Sequence, residues 1–302
     1  IEVIRKNSDN PEVNPGFISV PKEIKFPTGK TDPGFAYGYF YPPQNENFHA
    51  PEGTLPPLIV MAHGGPTAQT KSTFDLKKQY WTSRGFAILD VNYRGSTGYG
   101  RKYRNMLYSK LGIMDVEDCC FGALYCAEQK LVDGDKLCIE GGSAGGYIVL
   151  CAILWPNVFK AALSRYGISD LEALQEDTHK FEAKYNWQLI APYPAQKEIY
   201  RERSPIRHLD KISCPVAFFQ GLDDKVVTPK QARDMYEAVV AKGFPTALIE
   251  FEGEGHGFRK AENIRLSIDG QYFFFCKVLG IQPTLQIDSS KMLIVNLDAA
   301  KY

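Results

Sequence analysis

The 302-residue sequence has no net charge and no long apolar run. Lysine plus arginine and aspartate plus glutamate number 35 each, so no overall field attracts nucleic acid or an anionic membrane. No window reaches the roughly 18 uninterrupted apolar residues of a membrane-spanning helix, and residues 1–7 are too polar for a secretory signal. We therefore expect neither a nucleic-acid-binding protein nor a membrane protein.

The seven cysteines show no metal-binding or disulfide pattern. None of them forms a Cys-x-x-Cys pair, and the adjacent Cys119 and Cys120 do not have the spacing of zinc ligands. An odd number of cysteines, mostly within apolar runs, is typical of reduced thiols in a core. The sequence also has no Asn-x-Ser/Thr acceptor site. These features predict a cytoplasmic protein.

From about residue 57 to residue 280, short apolar segments alternate with longer segments of helical pattern. The apolar segments, which predict strands, are 58–62, 86–92, 136–140, 161–166, 215–220 and 246–251. The predicted helices are 74–84, 114–129, 144–154, 229–242 and 260–278. This alternation predicts an α/β fold with a mostly parallel central sheet and helices on both faces.

Three segments lie outside the alternation. Residues 17–26 and 35–41 are joined by a turn-rich link and predict an antiparallel pair of strands. Residues 167–213 interrupt the rhythm over a length that can cover a site, and we interpret them as a helical cap insert. The residues after 280 have little pattern, so we expect one domain over 1–280 and a C-terminal tail over 281–302.

Residues 141–145, Gly-Gly-Ser-Ala-Gly, fit the G-x-S-x-G pattern of a nucleophile elbow. They follow a predicted strand and precede a predicted helix, which is the context that the elbow requires. The flanking glycines let a sharp turn close and hold the Ser143 hydroxyl out of the sheet. The pattern also arises by chance in glycine-rich loops. Whether Ser143 is catalytic therefore depends on whether the chain also supplies a base and an acid for it.

A serine nucleophile needs a histidine as base and a carboxylate that orients the histidine, here in the chain order Ser, Asp, His. The loop after strand 215–220 contains Asp223 and Asp224, and the loop after strand 246–251 contains His256. Both loops follow carboxyl ends of strands, where open α/β sheets place their sites. Neighbouring side chains usually point in different directions, so only one of the two aspartates can face His256.

Charge that develops on a substrate oxygen needs two N–H donors. One is expected from Ala144, directly after the serine. The other is expected from His63-Gly64-Gly65-Pro66, the loop after strand 58–62. Pro66 has no N–H, so Gly65 is the better donor, with Gly64 behind it. The ring of His63 is expected to brace this loop.

Aromatic residues in and before the cap are candidates for an apolar substrate pocket. They are Tyr166, Phe181, Tyr185 and Trp187. The glycine-rich segment 92–100 has neither the Gly-Lys-Ser/Thr of a P-loop nor the G-x-G-x-x-G spacing of a dinucleotide site. We therefore expect it to form a rigid wall near the site.

Four segments together resemble a known family: residues 63–66, 92–100, 141–147 and 255–258. Over roughly residues 16–280 the chain resembles the catalytic domain of the prolyl oligopeptidase family of serine peptidases, in its acylaminoacyl-peptidase and dipeptidyl-peptidase-like branch. The resemblance implies an α/β-hydrolase fold and neither a metal nor an organic cofactor.

The resemblance also implies roles for single residues. The family motif at the acidic loop is Gly-x-x-Asp-x-x-Val, which, counted from Gly221, places the acid on Asp224 and the valine on Val227. The other implied roles are nucleophile for Ser143, base for His256 and oxyanion donor for Gly65 and Ala144.

The resemblance implies hydrolysis of short peptides or acylated amino acids through an acyl-enzyme. The alternative is a carboxylesterase or amidase that uses the same residues on small non-peptide substrates. A third reading, a binding protein on an inactive hydrolase fold, is disfavoured because every catalytic residue type is present. Family members usually carry a β-propeller before this domain, so we expect either a longer protein with an upstream propeller or a natural relative without one.

Overall fold

The computed structural model describes residues 13–30, 32–154, 158–177, 184–288 and 290–297. In this part of the chain eight strands form one sheet in the order β1-β2-β4-β3-β5-β6-β7-β8. The strands are β1 (Lys22–Thr28), β2 (Gly34–Tyr41), β3 (Leu58–Ala62), β4 (Ala87–Asn92), β5 (Leu137–Gly142), β6 (Ala161–Arg165), β7 (Val216–Gly221) and β8 (Thr246–Phe251). Strand β2 pairs antiparallel with β1 and β4, and the pairs from β4 to β8 are parallel.

Helices cover both faces of this sheet. They are α1 (Leu76–Thr82), α2 (Gly100–Asn105), α3 (Met114–Glu128), α4 (Ala144–Ala152), α5 (Leu171–Asp177), α6 (Tyr185–Leu189), α7 (Lys197–Glu202), α8 (Pro229–Ala241) and α9 (Ala261–Val278). Helices α3, α4 and α8 pack on one face, and α1 and α9 pack on the other. The predicted α/β fold with a mostly parallel sheet is confirmed.

The inner strands are apolar throughout because both of their faces are covered. All five residues of β3 are buried. Val60 of β3 belongs to the core beneath α3, α4 and α8, whereas its neighbours Ile59 and Met61 belong to the core beneath α1 and α9. Successive side chains of a strand point to opposite faces, so one short segment contributes to both cores.

The first strand begins later than the sequence predicts. Strand β1 starts at Lys22, because Pro15–Phe17 form a short 3₁₀ helix in which the Asn14 side chain accepts the N–H of Gly16. Pairing with β2 then extends β1 to Thr28, which lies opposite Gly34. The predicted antiparallel pair exists with its first member shifted along the chain.

The cap and the tail pack on the sheet domain. Helices α5, α6 and α7 lie within the segment predicted as a cap, and Leu171, Leu189 and Tyr200 from it are buried against the core under α3, α4 and α8. In the tail, Met292 is buried in the other core, and Val295 exchanges two backbone hydrogen bonds with Thr246 of β8. Among the described helices, none combines the length and apolarity that crossing a bilayer would take.

Candidate active site

Ser143 lies at the sharp turn between β5 and α4. Its φ of 56° and ψ of −122° are strained for a residue with a side chain, as expected for the serine of an elbow. A Cβ on Gly141 would collide with the backbone of Gly145, and a Cβ on Gly145 would collide with the carbonyl group of Ala62. The two glycines of the motif are therefore required by close backbone packing at this turn.

His256 connects the serine to an aspartate. Its Nε2 lies 2.8 Å from Oγ of Ser143, and its Nδ1 lies 2.8 Å from Oδ2 of Asp224. The Asp224 side chain is fully buried, whereas Asp223 is exposed. Of the two adjacent aspartates, the fold brings Asp224 to the histidine.

The carboxylate of Asp224 accepts several hydrogen bonds. Oδ1 accepts the backbone N–H groups of Val226 and Val227 at 2.8 and 2.9 Å. Oδ2, which faces His256, also accepts from Nε2 of the buried Gln220 at 3.4 Å. Burial alone would raise the pKa of Asp224, but the bonds from His256 and the two amides lower it below its usual value. The aspartate is thus held as an anion in a fixed orientation.

Tyr166 supports the imidazole from the side. It follows β6 with a φ of 38°, a strained value for a tyrosine, and its ring centre lies 4.9 Å from that of His256. The ring also packs edge-on against Phe258 and lies where a side chain on Gly142 would have to go. Tyr166, predicted to line a substrate pocket, is in contact with His256 and with the elbow.

The glycine-rich loop after β3 lies against the elbow. A Cβ on Gly64 would lie 3.1 Å from the carbonyl oxygen of Gly142, which is a tight contact, and 3.7 Å from Cβ of Ser143, which is an ordinary one. Gly65 follows with a φ of 124°, a conformation that favours glycine. Ala144 is the first residue of α4, so its N–H is one of the free donors at a helix N-terminus. The two expected oxyanion donors therefore lie on segments next to Ser143.

His63 braces the glycine-rich loop, as the sequence predicts. Its Nδ1 lies 2.8 Å from the carbonyl oxygen of Gly64, and its Nε2 lies 2.8 Å from Oγ of Ser96. The ring stacks on Tyr93, whose hydroxyl donates to the carbonyl oxygen of His63 at 3.0 Å. Tyr93 and Ser96 belong to the buried segment that we predicted to form a rigid wall. Segment 92–100 therefore holds the glycine-rich loop in place through its contacts with His63.

The cap reaches the same loop through Tyr185. The Tyr185 hydroxyl lies 3.2 Å from the backbone N of Thr67 and 2.6 Å from Oγ1 of Thr67. Trp187 lies on the same helix, half-buried, with the ammonium group of Lys184 5.4 Å from its ring centre. The fourth predicted pocket residue, Phe181, lies outside the described residues.

A charged recess of about 270 Å³ lies beneath the elbow. Its charged lining residues are Asp75, Lys77, Lys78, Asp90, Glu140 and Arg165. The carboxylate of Glu140, three residues before the serine, pairs with Lys77 at 2.7 Å and with Arg165. Burial on its own raises the pKa of Glu140, but the two cations lower it to about 2. This ion cluster joins α1, β5 and β6 below the site.

Two residues of the site were not foreseen from the sequence. Gln220, the residue before Gly221 in β7, bonds to Asp224. Glu254, two residues before His256, is 2% exposed and bonds across the histidine loop. Polar side chains next to catalytic motifs are common in loops. The only available signal was that both lie within four residues of a predicted catalytic residue.

The fold and the site define an α/β hydrolase, with the serine, histidine and aspartate in hydrogen-bonded series at the carboxyl edge of a mostly parallel sheet. The sequence profile of the prolyl oligopeptidase family, Peptidase_S9, matches residues 72–282. The chain belongs to this family of serine peptidases, which confirms the resemblance seen in its motifs.

Known relatives and structures agree with this assignment. The structure of a puromycin-hydrolyzing peptidase from Mycobacterium tuberculosis is 44% identical with a TM-score of 0.87, over 90% of this chain and 41% of that one. Dipeptidyl aminopeptidase BIII of Pseudoxanthomonas mexicana is 31% identical over 213 residues, which are 68% of this chain and 31% of that protein. The acylamino-acid-releasing enzyme of Arabidopsis thaliana is 28% identical over 247 residues, which are 78% of this chain and 32% of that protein. The chain thus spans about a third of the length of these curated relatives.

Proposed function

We propose that this chain is a serine hydrolase that cleaves short peptides or the amide bond of acylated or aminoacylated compounds. The observation that carries the proposal is the hydrogen-bonded series from Ser143 through His256 to Asp224, at 2.8 Å for each step. In this role Ser143 is the nucleophile, His256 the general base and Asp224 the residue that orients the base.

The first half of the reaction forms an acyl-enzyme. Asp224 accepts the Nδ1–H of His256, which leaves Nε2 free to accept the proton of the Ser143 hydroxyl. Oγ then attacks the substrate carbonyl carbon, and the carbonyl π electrons move to its oxygen. Collapse of this tetrahedral species breaks the bond to the leaving nitrogen, which takes the proton from Nε2. The amine departs, and the acyl group stays on Oγ as an ester.

The second half restores the enzyme. A water molecule gives a proton to Nε2 of His256 and attacks the ester carbon. The bond to Oγ breaks, and Ser143 recovers its proton from the imidazole. In both halves we assign the stabilisation of the oxyanion to the N–H groups of Gly65 and Ala144. Two observations support this assignment: both residues lie beside the elbow, and His63 braces the loop that contains Gly65.

The relatives support small amide substrates. One solved relative is described as puromycin-hydrolyzing, and puromycin contains an amino acid joined by an amide bond to an aminonucleoside. Curated relatives are described as a dipeptidyl aminopeptidase and an acylamino-acid-releasing enzyme. The chemistry shared by these substrates is an aminoacyl group with an amine as leaving group. We extend that class to this chain.

The alternative is a carboxylesterase or amidase that uses the same residues on small non-peptide substrates. The leaving group of an ester needs less protonation than that of an amide. A site of this kind can therefore cleave esters even if it does not cleave amides. The upstream propeller and the cytoplasmic location stay predictions, and the latter is supported by seven free, buried cysteines.

The test compares matched substrates on the purified chain. An aminoacyl p-nitroanilide, an N-acetylaminoacyl p-nitroanilide, puromycin and a p-nitrophenyl ester are assayed with the parent, Ser143→Ala and the exposed control Ser72→Ala. We expect turnover of at least one amide, a loss of about 10⁶-fold in kcat for Ser143→Ala, and no change for Ser72→Ala. Turnover of the ester alone would overturn the proposed amide specificity, and full activity of Ser143→Ala would overturn the proposed site.

A further inference from the structure

Glu254 closes the loop that contains His256. Its carboxylate reaches past the histidine and accepts three hydrogen bonds from residues after it. The donors are the backbone N of Arg259 at 2.9 Å, the backbone N of Lys260 at 2.8 Å and Nδ2 of Asn263 at 2.9 Å. The side chain is 2% exposed, so these bonds are made in a largely dry environment. The residues between Glu254 and Arg259, His256 among them, form a ring closed by one carboxylate.

The carboxylate lies at the N-terminus of α9. Lys260, the residue that precedes the helix, makes no side-chain capping bond, and Glu254 supplies the acceptor instead. A helix of 18 residues presents free N–H groups and a partial positive charge at this end, which stabilise an anion. Burial alone raises the pKa of Glu254, but the bonds from Asn263, Lys260 and Arg259 lower it. The long helix thus anchors the short catalytic loop.

The backbone of Glu254 joins this loop to the aspartate loop. Its carbonyl oxygen accepts the N–H of Asp223 at 2.9 Å, one residue before Asp224. Gly221 packs so closely that a Cβ there would collide with the carbonyl oxygens of Glu254 and Gly255. One residue therefore contacts both loops whose side chains meet at the 2.8 Å bond between Asp224 and His256.

We propose that Glu254 is a positioning residue that holds His256 in register with Asp224 and Ser143. The inference rests on the proposed function, because it assigns His256 as the base. Catalysis by oriented groups is sensitive to displacements of about 1 Å, which cost on the order of 100-fold in rate. Without the carboxylate, the hydrogen bonds that close the loop from Gly255 to Phe258 are lost. Two of these four residues are glycines, so the backbone of the loop is then free to take other conformations.

The test compares two substitutions of Glu254 with a control in the same loop. Glu254→Ala removes all three bonds, and Glu254→Gln keeps one oxygen as an acceptor. The neighbouring Glu252 is exposed, and Glu252→Ala leaves the backbone of the loop unchanged. On a p-nitrophenyl ester we expect Glu254→Ala to lower kcat by about 10- to 100-fold with KM within about twofold. Glu254→Gln should recover part of that loss, and Glu252→Ala should match the parent.

Two further variants separate positioning from general stability. Phe274→Leu perturbs a buried position in the C-terminal half of α9, away from the end that bonds Glu254, and its thermal midpoint and kcat are measured beside those of Glu254→Ala. Asn263→Ala removes one of the three bonds to Glu254. It tests the positioning role of Glu254 if Glu254→Ala does not fold. We expect Phe274→Leu to lose stability but not kcat, and Asn263→Ala to lose kcat by a smaller factor than Glu254→Ala.

The inference is wrong if folded Glu254→Ala keeps kcat within about twofold of the parent. It is also wrong if Glu254→Gln recovers nothing, if Phe274→Leu loses as much kcat, or if Asn263→Ala loses none. Labelling of the active serine by a fluorophosphonate separates this failure from that of the proposed function. If Glu254→Ala labels at the parental rate while Ser143→Ala stays unlabelled, only the role of Glu254 fails.

Discussion

The carboxylate of Asp224 and the imidazole of His256 meet at 2.8 Å although 32 residues separate them in the chain. The Asp224 side chain is fully buried, whereas the His256 side chain is 25% exposed. The carboxylate is therefore shielded from water, while the imidazole remains partly accessible. This asymmetry suits the proposed role of His256 as a base, which must keep one orientation and still exchange protons.

The adjacent aspartates provide a matched pair of variants. Asp224→Asn keeps the shape of the side chain but presents an N–H or an uncharged oxygen to His256, which favours the wrong tautomer. We expect kcat to fall by about 10⁴-fold. Asp223→Asn changes an exposed side chain and should stay within about twofold of the parent. The ester assay measures both, and equal losses for the two variants would refute the assignment of Asp224.

Gly142→Ala tests the packing of Tyr166 against the elbow. A Cβ at this position would lie 2.9 to 3.1 Å from atoms of the Tyr166 ring, which itself contacts His256. We expect the ring to shift and kcat to fall by about tenfold or more. The control is Gly134→Ala, where the added Cβ would meet Ala127 at an ordinary 3.4 Å. A parental kcat in Gly142→Ala would mean that the ring has no part in holding the base.

Tyr185→Phe removes the hydroxyl that joins the cap to Thr67. Thr67 follows the glycine-rich loop directly, so we expect that loop to become less ordered and kcat to fall by about fivefold to tenfold, with little change in KM. Tyr108→Phe, which changes an exposed tyrosine, is the control. A change in KM alone would instead favour the pocket role that the sequence predicts for Tyr185.

Asp115 is expected to make stability fall as pH rises. Burial raises its pKa to about 7, and its Oδ2 is buried without a hydrogen-bond partner. Between pH 4 and pH 7, roughly, the unfolded chain releases this proton and the folded chain keeps it, so ionisation favours unfolding. The full penalty, about 4 kcal/mol, applies above pH 7 and vanishes below pH 4.

Asp115→Asn removes this ionisation and retains an oxygen that can accept from Gly112. We expect the variant to gain stability over the parent at pH 8 and to gain much less at pH 5. Urea denaturation at the two pH values measures the difference, with the exposed Asp135→Asn as the control. The same change in unfolding free energy at both pH values would contradict the raised pKa.

Most of the fold could be predicted because buried parallel strands are apolar on both faces. Strands β3 and β8 have the predicted bounds, and the other parallel strands differ by one or two residues at one or both ends. Helix α2 was not predicted, because a six-residue helix that begins at Gly100 has too short a pattern and a poor first residue. The start of β1 was placed too early, because its pairing with β2 cannot be derived from its own sequence.

The candidate site was predictable where short motifs report backbone geometry. The elbow around Ser143 and the glycines around His256 follow from the turns that these residues must make. The choice of Asp224 over Asp223 needed either the family motif or the fold. The bond between Tyr185 and Thr67 spans 118 residues, and the closure by Glu254 depends on where α9 begins. Contacts of this kind arise from tertiary packing and leave no local pattern.

The most direct test of the account is the identity of the residue that reacts with a fluorophosphonate, determined by peptide mass spectrometry. We expect one label per chain, on Ser143, and a labelling rate that falls by about 10⁴-fold or more in His256→Ala. Labelling of a different residue, or an unchanged rate in folded His256→Ala, would contradict the proposed mechanism.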